Sequence, residues 1–112
     1  MSVDDPNKID IIATKPDSDV VRLVITDHLD WLDFERHAQL IQDKVNSYIA
    51  FIESGQLLRV QQPPIPARPV IMIVLSVQQL PSDEAEEFLR KVRAFLDAVG
   101  LHFEIDRRYA PS

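Results

Sequence analysis

Apolar residues along this 112-residue chain change repeatedly between a strand-like and a helix-like spacing, and these changes restrict the fold more than any single motif does. Residues 8–14 and 20–26 are rich in β-branched side chains and are separated by a turn-forming run, 15–19. Two such runs around a short turn predict a β-hairpin. From Phe34 to Ile52, apolar residues instead recur in steps of four and three. That spacing places them on one face of a helix, which Gly55 would end.

The second half of the chain repeats the alternation of strand and helix patterns. Residues 56–62 fit either a short edge strand or a loop, and residues 70–77 are almost continuously apolar, as in a central strand covered on both faces. A second helix begins near Pro81, with Ser82 or Asp83 as its N-cap, and ends at Gly100. Residues 101–106 alternate like a half-exposed strand. The predicted buried face of the second helix comprises Ala85, Phe88, Leu89, Val92, Phe95, Leu96 and Val99.

This order of elements, β-β-α-(β)-β-α-β, predicts a single α+β domain over residues 1–112, with loose ends at about 1–6 and 107–112. Strand–helix–strand connections are right-handed, so two crossovers in the same direction place both helices on one face of the sheet. We therefore expect a two-layer sandwich of four or five strands and two helices. The chain has no cysteine, which excludes disulfides and thiolate chemistry.

Charge and hydropathy restrict the partners. The chain has 12 Lys+Arg against 18 Asp+Glu, a net charge of −6, which argues against binding to nucleic acid or to an anionic membrane. The longest purely apolar run has six residues, 70–75, whereas a membrane-spanning helix needs about 20. The start of the chain is acidic and polar, unlike a secretory signal. We expect a cytoplasmic protein without a cofactor.

The sheet face opposite the helices is predicted to be partly apolar. An apolar patch of that size on a small protein usually contacts another molecule. The simplest expectation is a homodimer through this face, or else a protein partner. The candidates are Ile11 or Ile12, Val24, and either Ile71 and Ile73 or Met72 and Val74, together with His102 and Glu104.

The junction between the second strand and the first helix carries most of the residues capable of chemistry. A metal could take imidazole and carboxylate ligands from this segment, and a carboxylate–histidine pair could act as a general base. No established metal spacing or catalytic template is present, so the sequence predicts no catalytic residue and no metal. The candidate ligand-binding residues are Asp27, His28, Asp30, Trp31, Asp33 and His37.

The same segment also fits a purely structural interpretation. Asp30 would be the N-cap of the first helix, with Asp33 reaching back as in a capping box and Leu29 packing on Phe34 as a hydrophobic staple. The clustered acids would then favour the positive end of the helix dipole. This interpretation is favoured, because it uses the acids without needing a ligand.

One flank of the first helix has two interpretations. Asp33, His37, Leu40, Lys44 and Phe51 lie together beside the apolar stripe. They predict either a broad core-facing surface or a groove or dimer contact that includes His37.

Several segments resemble a family of small uncharacterised bacterial proteins, a domain of unknown function. The resemblance rests on Asp27-His28-Leu29-Asp30-Trp31, on His37, and on residues 48–57, which include F-I-E-S-G-Q-L at the helix end. Asp5-Pro6-Asn7 with Ile9-Asp10 resembles the family too. The resemblance implies a bacterial cytoplasmic protein and no assigned activity. The function expected from the whole sequence is a non-enzymatic interaction module; the alternative is a small-ligand or metal site, possibly hydrolytic, at 27–37.

Overall fold

The computed structural model of the chain describes residues 9–108. The predicted order of elements is confirmed, except that residues 56–62 contain a short 3₁₀ helix, Leu57–Arg59, in place of the optional strand. Leu57 turns into the core and is buried, which anchors this connection. In chain order the elements are β1 (Ile11–Thr14), β2 (Val20–Asp27), α1 (Phe34–Glu53), β3 (Val70–Val77), α2 (Asp83–Ala98) and β4 (His102–Arg107).

The four strands form one sheet in the order β1-β2-β3-β4. β1 and β2 are the predicted antiparallel hairpin, and Asp17, with φ of 64°, lies in its turn. β2, β3 and β4 are parallel, with Leu23 beside Ile73 and Ile73 beside Phe103. Both crossovers advance in the same direction along the sheet, so both helices pack on one face. The predicted α+β two-layer architecture is therefore confirmed.

The core lies between the helices and one sheet face. Along β2, alternate residues are buried from Val21 to Asp27, as the period of a strand requires. α1 and α2 meet edge to face through Phe34 and Phe88, whose ring centroids are 6.0 Å apart. Both helices end at a glycine with φ of 81°, Gly55 and Gly100, in the left-handed region that favours this residue.

α2 begins as predicted, but its buried face is narrower than predicted. The Ser82 side chain accepts a hydrogen bond from the Ala85 N–H at 3.1 Å, so Ser82, rather than Asp83, is the N-cap. The predicted burial of Phe95 and Val99 is wrong, since they are 50% and 48% exposed. Only Ala85, Leu89, Val92 and Leu96 are buried along α2. Phe95 lies instead at the groove between α1 and α2, which is open to solvent.

No described element covers the other sheet face, and this uncovered sheet face is formed by alternate residues of all four strands. The sequence left open which residues of β1 and β3 lie on this face. Ile11 rather than Ile12 lies there, and so do Met72 and Val74, because Ile73 is fully buried on the helix side. An Arg22–Glu104 ion pair of 2.9 Å links β2 to β4 across this face. Val74 of the intervening strand is consequently only 4% exposed.

Most of the predicted loose ends, 1–6 and 109–112, lie outside the described residues. Arg107 ends β4, and the Arg108 N–H donates to the Val77 carbonyl at 2.7 Å. Neither helix between residues 9 and 108 is long and apolar enough to span a membrane.

Candidate functional site

The segment 27–37 is built around a buried carboxylate at the end of β2. Asp27 is the last residue of β2, and its side chain points to the helix side, where it is 1% exposed. One carboxylate oxygen accepts the Leu29 N–H at 3.1 Å, which fixes the direction in which the chain leaves the sheet. The other oxygen lies 2.6 Å from Nε2 of His37.

Both ring nitrogens of His37 are held by oxygen atoms. Nδ1 lies 2.9 Å from the Asp30 carbonyl, and because a carbonyl oxygen only accepts, this nitrogen must carry a hydrogen. One further proton then lies between Nε2 and the Asp27 carboxylate. Whichever atom holds that proton, the pair as a whole is neutral. This neutrality explains how two ionisable side chains, 2% and 1% exposed, are accommodated in the interior.

Trp31 closes this cluster from the side. Its ring stacks on that of His37, with centroids 3.7 Å apart and planes inclined by 23°. The indole N–H donates to the Gln79 carbonyl at 3.2 Å, which connects the segment to the residues that follow β3. Trp31 is 8% exposed, so the ring shields the Asp27–His37 pair from water. Three of the six candidate residues, Asp27, Trp31 and His37, therefore lie together.

The remaining candidates point outward. His28, Asp30 and Asp33 are exposed. The Asp30 side chain accepts the Leu32 N–H at 3.1 Å, in a local turn. The structure therefore divides the six candidate residues into a buried group of three and an exposed group of three.

The prediction that Asp30 is the N-cap of the first helix is wrong, because Asp33 occupies that position and accepts the Arg36 N–H at 3.3 Å. The helix starts three residues later than predicted, since the chain must first turn Trp31 inward and aim the Asp30 carbonyl at His37. Phe34 is consequently the first helical residue. The predicted capping box is not formed, because the Asp30 and Asp33 carboxylates accept the Leu32 and Arg36 N–H groups instead.

A second buried ion pair lies two turns further along α1, and the sequence analysis did not predict it. Lys44 Nζ is 2.8 Å from Asp10, and their side chains are 0% and 1% exposed. Asp10 also accepts the backbone N–H and the hydroxyl of Thr26, at 2.9 and 3.2 Å. The Tyr48 hydroxyl donates to the Val24 carbonyl at 2.7 Å and accepts the Asp10 N–H at 3.0 Å. Burial raises the pKa of Tyr48 above its ordinary value.

Of the two interpretations of the flank of α1, the core-facing one holds for His37 and Lys44. Both are fully buried against the sheet, in line with Ile41 and Tyr48. Their spacing of seven residues places them on the same side of the helix. Asp33 is exposed, and Leu40 and Phe51 pack at the edge of the core.

The chemistry open to this region is limited by these contacts. Residues 9–108 contain no group of three or more histidine and acidic side chains arranged to hold a metal ion. Asp27 and His37 bond to each other and lie beneath Trp31, so neither faces a solvent-filled space. A cleft of about 670 Å³ lies instead on the uncovered sheet face, where Gln78, Gln79 and Arg108 line one end of it.

The fold and the site define a class: a small two-layer α+β protein whose first helix is joined to the sheet side of the core by two buried pairs, His37–Asp27 and Lys44–Asp10. Residues 1–108 match the family of unknown function DUF6572, and the chain belongs to this family. This agrees with the resemblance to a family without assigned activity. Neither a curated protein nor a solved structure matches the chain.

Proposed function

We propose that this protein is a non-enzymatic interaction module that forms a homodimer through its uncovered sheet face. The observation that carries the proposal is the apolar character of a face that no described element covers. Ile11 and Val70 are 47% and 42% exposed there, and Val24 and Met72 are partly exposed between them. Exposed apolar surface of this kind is a common feature of protein contacts.

The charges on this face favour a second copy as the occupant. Arg22 pairs with Glu104 at 2.9 Å, and Arg108 pairs with Asp106 at 2.7 Å. The face is therefore close to neutral, whereas the whole chain carries a net charge of −6. A two-fold interface brings each patch against itself and must be self-complementary. A neutral face with apolar and paired side chains meets this requirement without net repulsion.

The area of the uncovered sheet face determines the expected affinity of the homodimer. Four strands of 4, 8, 8 and 6 residues, spaced about 4.8 Å apart and rising about 3.3 Å per residue, give a projected area of roughly 400 Å² per copy. Stable interfaces bury about 800 Å² per partner. We therefore expect a dimer that forms in a concentration-dependent manner, rather than an obligate one.

The alternative ligand site at 27–37 has weaker support. Asp27 and His37 already bond to each other, so a ligand would have to use the exposed His28, Asp30 and Asp33. Asp33 also caps α1. The exposed side chains alone do not form an enclosed site.

The test is sedimentation equilibrium between about 10 µM and about 1 mM, a range that brackets a weak self-association constant. The wild-type chain should shift towards twice the monomer mass as concentration rises. Ile11→Glu and Met72→Glu should stay monomeric, because each would bury an uncompensated carboxylate in the interface. Phe95→Glu is the matched control, since Phe95 is similarly exposed but lies on α2.

Two results would contradict the proposal. A wild-type chain that is monomeric throughout the range would exclude the homodimer. A dimer that persists in both sheet-face variants but dissociates in Phe95→Glu would place the contact on the helices. Circular dichroism of each variant distinguishes a lost interface from a lost fold.

A further inference from the structure

We propose that the outer edge of β4, with the arginines beside it, binds an extended acidic peptide segment of a partner protein by strand addition. The proposed surface is the β4 edge: the outer side of β4 and the adjoining side of α2. It is separate from the uncovered sheet face and does not depend on dimer formation.

The backbone of β4 offers free hydrogen-bonding positions at this edge. β4 is the last strand of the sheet, and within residues 9–108 it pairs only with β3. The Arg108 N–H donates to Val77 of β3, and backbone groups alternate in direction along a strand. The N–H and C=O groups of Phe103 and Ile105 therefore point away from β3. An added strand would find a regular ladder of donors and acceptors there.

Three arginines lie beside this edge of an otherwise acidic chain. A cleft of about 360 Å³ between α2 and β4 is lined by Arg90, Arg93 and Arg107, together with the carboxylates of Glu86 and Glu104. The Arg93 guanidinium lies 5.9 Å from the centroid of the Phe103 ring, and no carboxylate within the described range forms an ion pair with it. Arg90 and Arg107 pair with Glu87 and Glu86 on the surface of α2. Exposed pairs of this type exchange partners at little cost.

The two faces of the sheet predict the sequence pattern of the ligand. Side chains of an added strand alternate between the helix side and the opposite side. On the helix side they would meet Arg90 and Arg93, which favours a carboxylate at every second position. On the opposite side they would lie beside Glu104 and Asp106, which disfavours a carboxylate there. The best ligand therefore alternates acidic residues with apolar or hydroxyl residues.

A second copy of this chain is a poor occupant of the same edge. Two β4 strands pairing antiparallel about a two-fold axis would bring both α2 helices to the same side. The arginines of one copy would then face those of the other, and like charges in close contact disfavour the complex. An acidic segment of another protein meets no such repulsion.

In the experiment, the full chain is titrated with synthetic peptides. Binding is measured by isothermal calorimetry and by the shifts of backbone amide NMR signals. The probe is acetyl-TEVEVET-amide, and TKVKVKT is the charge-reversed control. Two further peptides carry N-methyl groups either on the three Glu amides or on the intervening amides. An added edge strand uses only one of these two sets of amides. One N-methylated peptide should therefore lose binding and the other should retain it.

Matched variants test the arginines. Arg90→Glu and Arg93→Glu should each weaken binding of the acidic probe by about tenfold, because a close charge contact becomes repulsive. Lys91→Glu makes the same change of charge on the same helix, but Lys91 lines the groove between α1 and α2 and should have no effect. Ile11→Glu, on the opposite edge strand, should also bind normally.

Three results would overturn the proposal. The first is equal binding of the acidic and basic probes. The second is a response to N-methylation that is the same for both patterns. The third is an absence of binding at millimolar peptide, which would mean that the arginines protect the edge from pairing.

Discussion

α1 presents two ionisable side chains to the sheet, and the two pairs they form differ in how they avoid a buried charge. His37 meets Asp27 at the end of β2, whereas Lys44 meets Asp10 just before β1. In the first pair the imidazole shares a hydrogen bond of 2.6 Å with the carboxylate, and an aromatic ring covers the imidazole. In the second pair a lysine faces a carboxylate that also accepts two hydrogen bonds from Thr26.

The two pairs should therefore differ in how much stability is lost when one member is removed. An imidazole that loses its carboxylate can become neutral by releasing a proton. A buried carboxylate that loses its lysine stays out of water, and for Asp10 the two hydrogen bonds from Thr26 remain without the ammonium charge. We therefore expect the Lys44–Asp10 pair to be the more sensitive to removal of one member, although both pairs are equally buried.

Removing the Lys44 ammonium should produce the largest loss of stability. Lys44→Met leaves Asp10 buried without its lysine partner, and breaking a buried pair in this manner costs about 3–5 kcal/mol. The free energy of unfolding from urea titration at neutral pH measures this. The double variant Asp10→Asn with Lys44→Met should be more stable than Lys44→Met alone, because no carboxylate then remains uncompensated. A double variant less stable than the single one would show that the lysine contributes through packing rather than through charge.

Asp27→Asn should cost less, about 1.5–3 kcal/mol, which is typical for a lost hydrogen bond to a charged group. The asparagine amide can still donate to a neutral His37, so part of the contact survives. The emission of Trp31, the only tryptophan, reports local loosening beside the His37 ring. His28→Ala is the control and should change neither measurement, since His28 is exposed. A loss for Asp27→Asn as large as that for Lys44→Met would contradict the proposed difference between the pairs.

Tyr48→Phe removes the Tyr48 hydroxyl, which accepts the backbone N–H of Asp10 beside the Lys44–Asp10 pair. It removes a bond to the Val24 carbonyl and one from the Asp10 N–H, at an expected cost of about 1–3 kcal/mol. The decrease of the free energy of unfolding at alkaline pH should also change. Because burial raises the pKa of Tyr48 in the folded chain, the unfolded chain releases this proton first, from about pH 10 upward.

The stability that the neutral Tyr48 hydroxyl provides is thus complete below about pH 10 and is lost as the pH rises further. Thermal unfolding between about pH 8 and pH 11 should show a steeper decline for wild type than for Tyr48→Phe. Parallel pH profiles for the two proteins would mean that Tyr48 ionises as readily in the folded chain as in the unfolded one.

Local patterns determined most of the fold. The β-branched runs, the helical stripe and the glycine ends are properties of short segments, and they predicted the hairpin, both helices and the last strand. The rule of right-handed crossovers then determined which face carries the helices. The narrower buried face of α2 was not predictable, because the packing of the whole fold, rather than the helix's own apolar pattern, decides that Phe95 and Val99 stay exposed.

The candidate site was predictable only in part, for a similar reason. Asp27, Trp31 and His37 lie within eleven residues, so a dense local motif revealed them. Asp30 and Asp33 satisfy the same rules for an N-cap, and only the inward turn of Trp31 decides between them. Lys44 and Asp10 are 34 positions apart and meet through the register of β1 against β2 and the rotation of α1. No local pattern contains that information.

The smallest loss of stability is expected at an exposed ion pair, which serves as a reference for the two buried pairs. Arg107 donates to both oxygens of Glu86, at 2.7 and 3.0 Å, and these hydrogen bonds lower the pKa of Glu86 below its ordinary value. The stabilisation is therefore present above the unfolded pKa of about 4.3 and is lost as the pH falls through the folded value. Glu86→Gln should cost about 0.2–1 kcal/mol at neutral pH, because solvent screens the pair. Urea titrations at neutral pH and near pH 3 should show this difference shrinking in acid. A loss of unfolding free energy at neutral pH as large as that for Asp27→Asn would mean that burial does not determine how much each of these pairs contributes to stability.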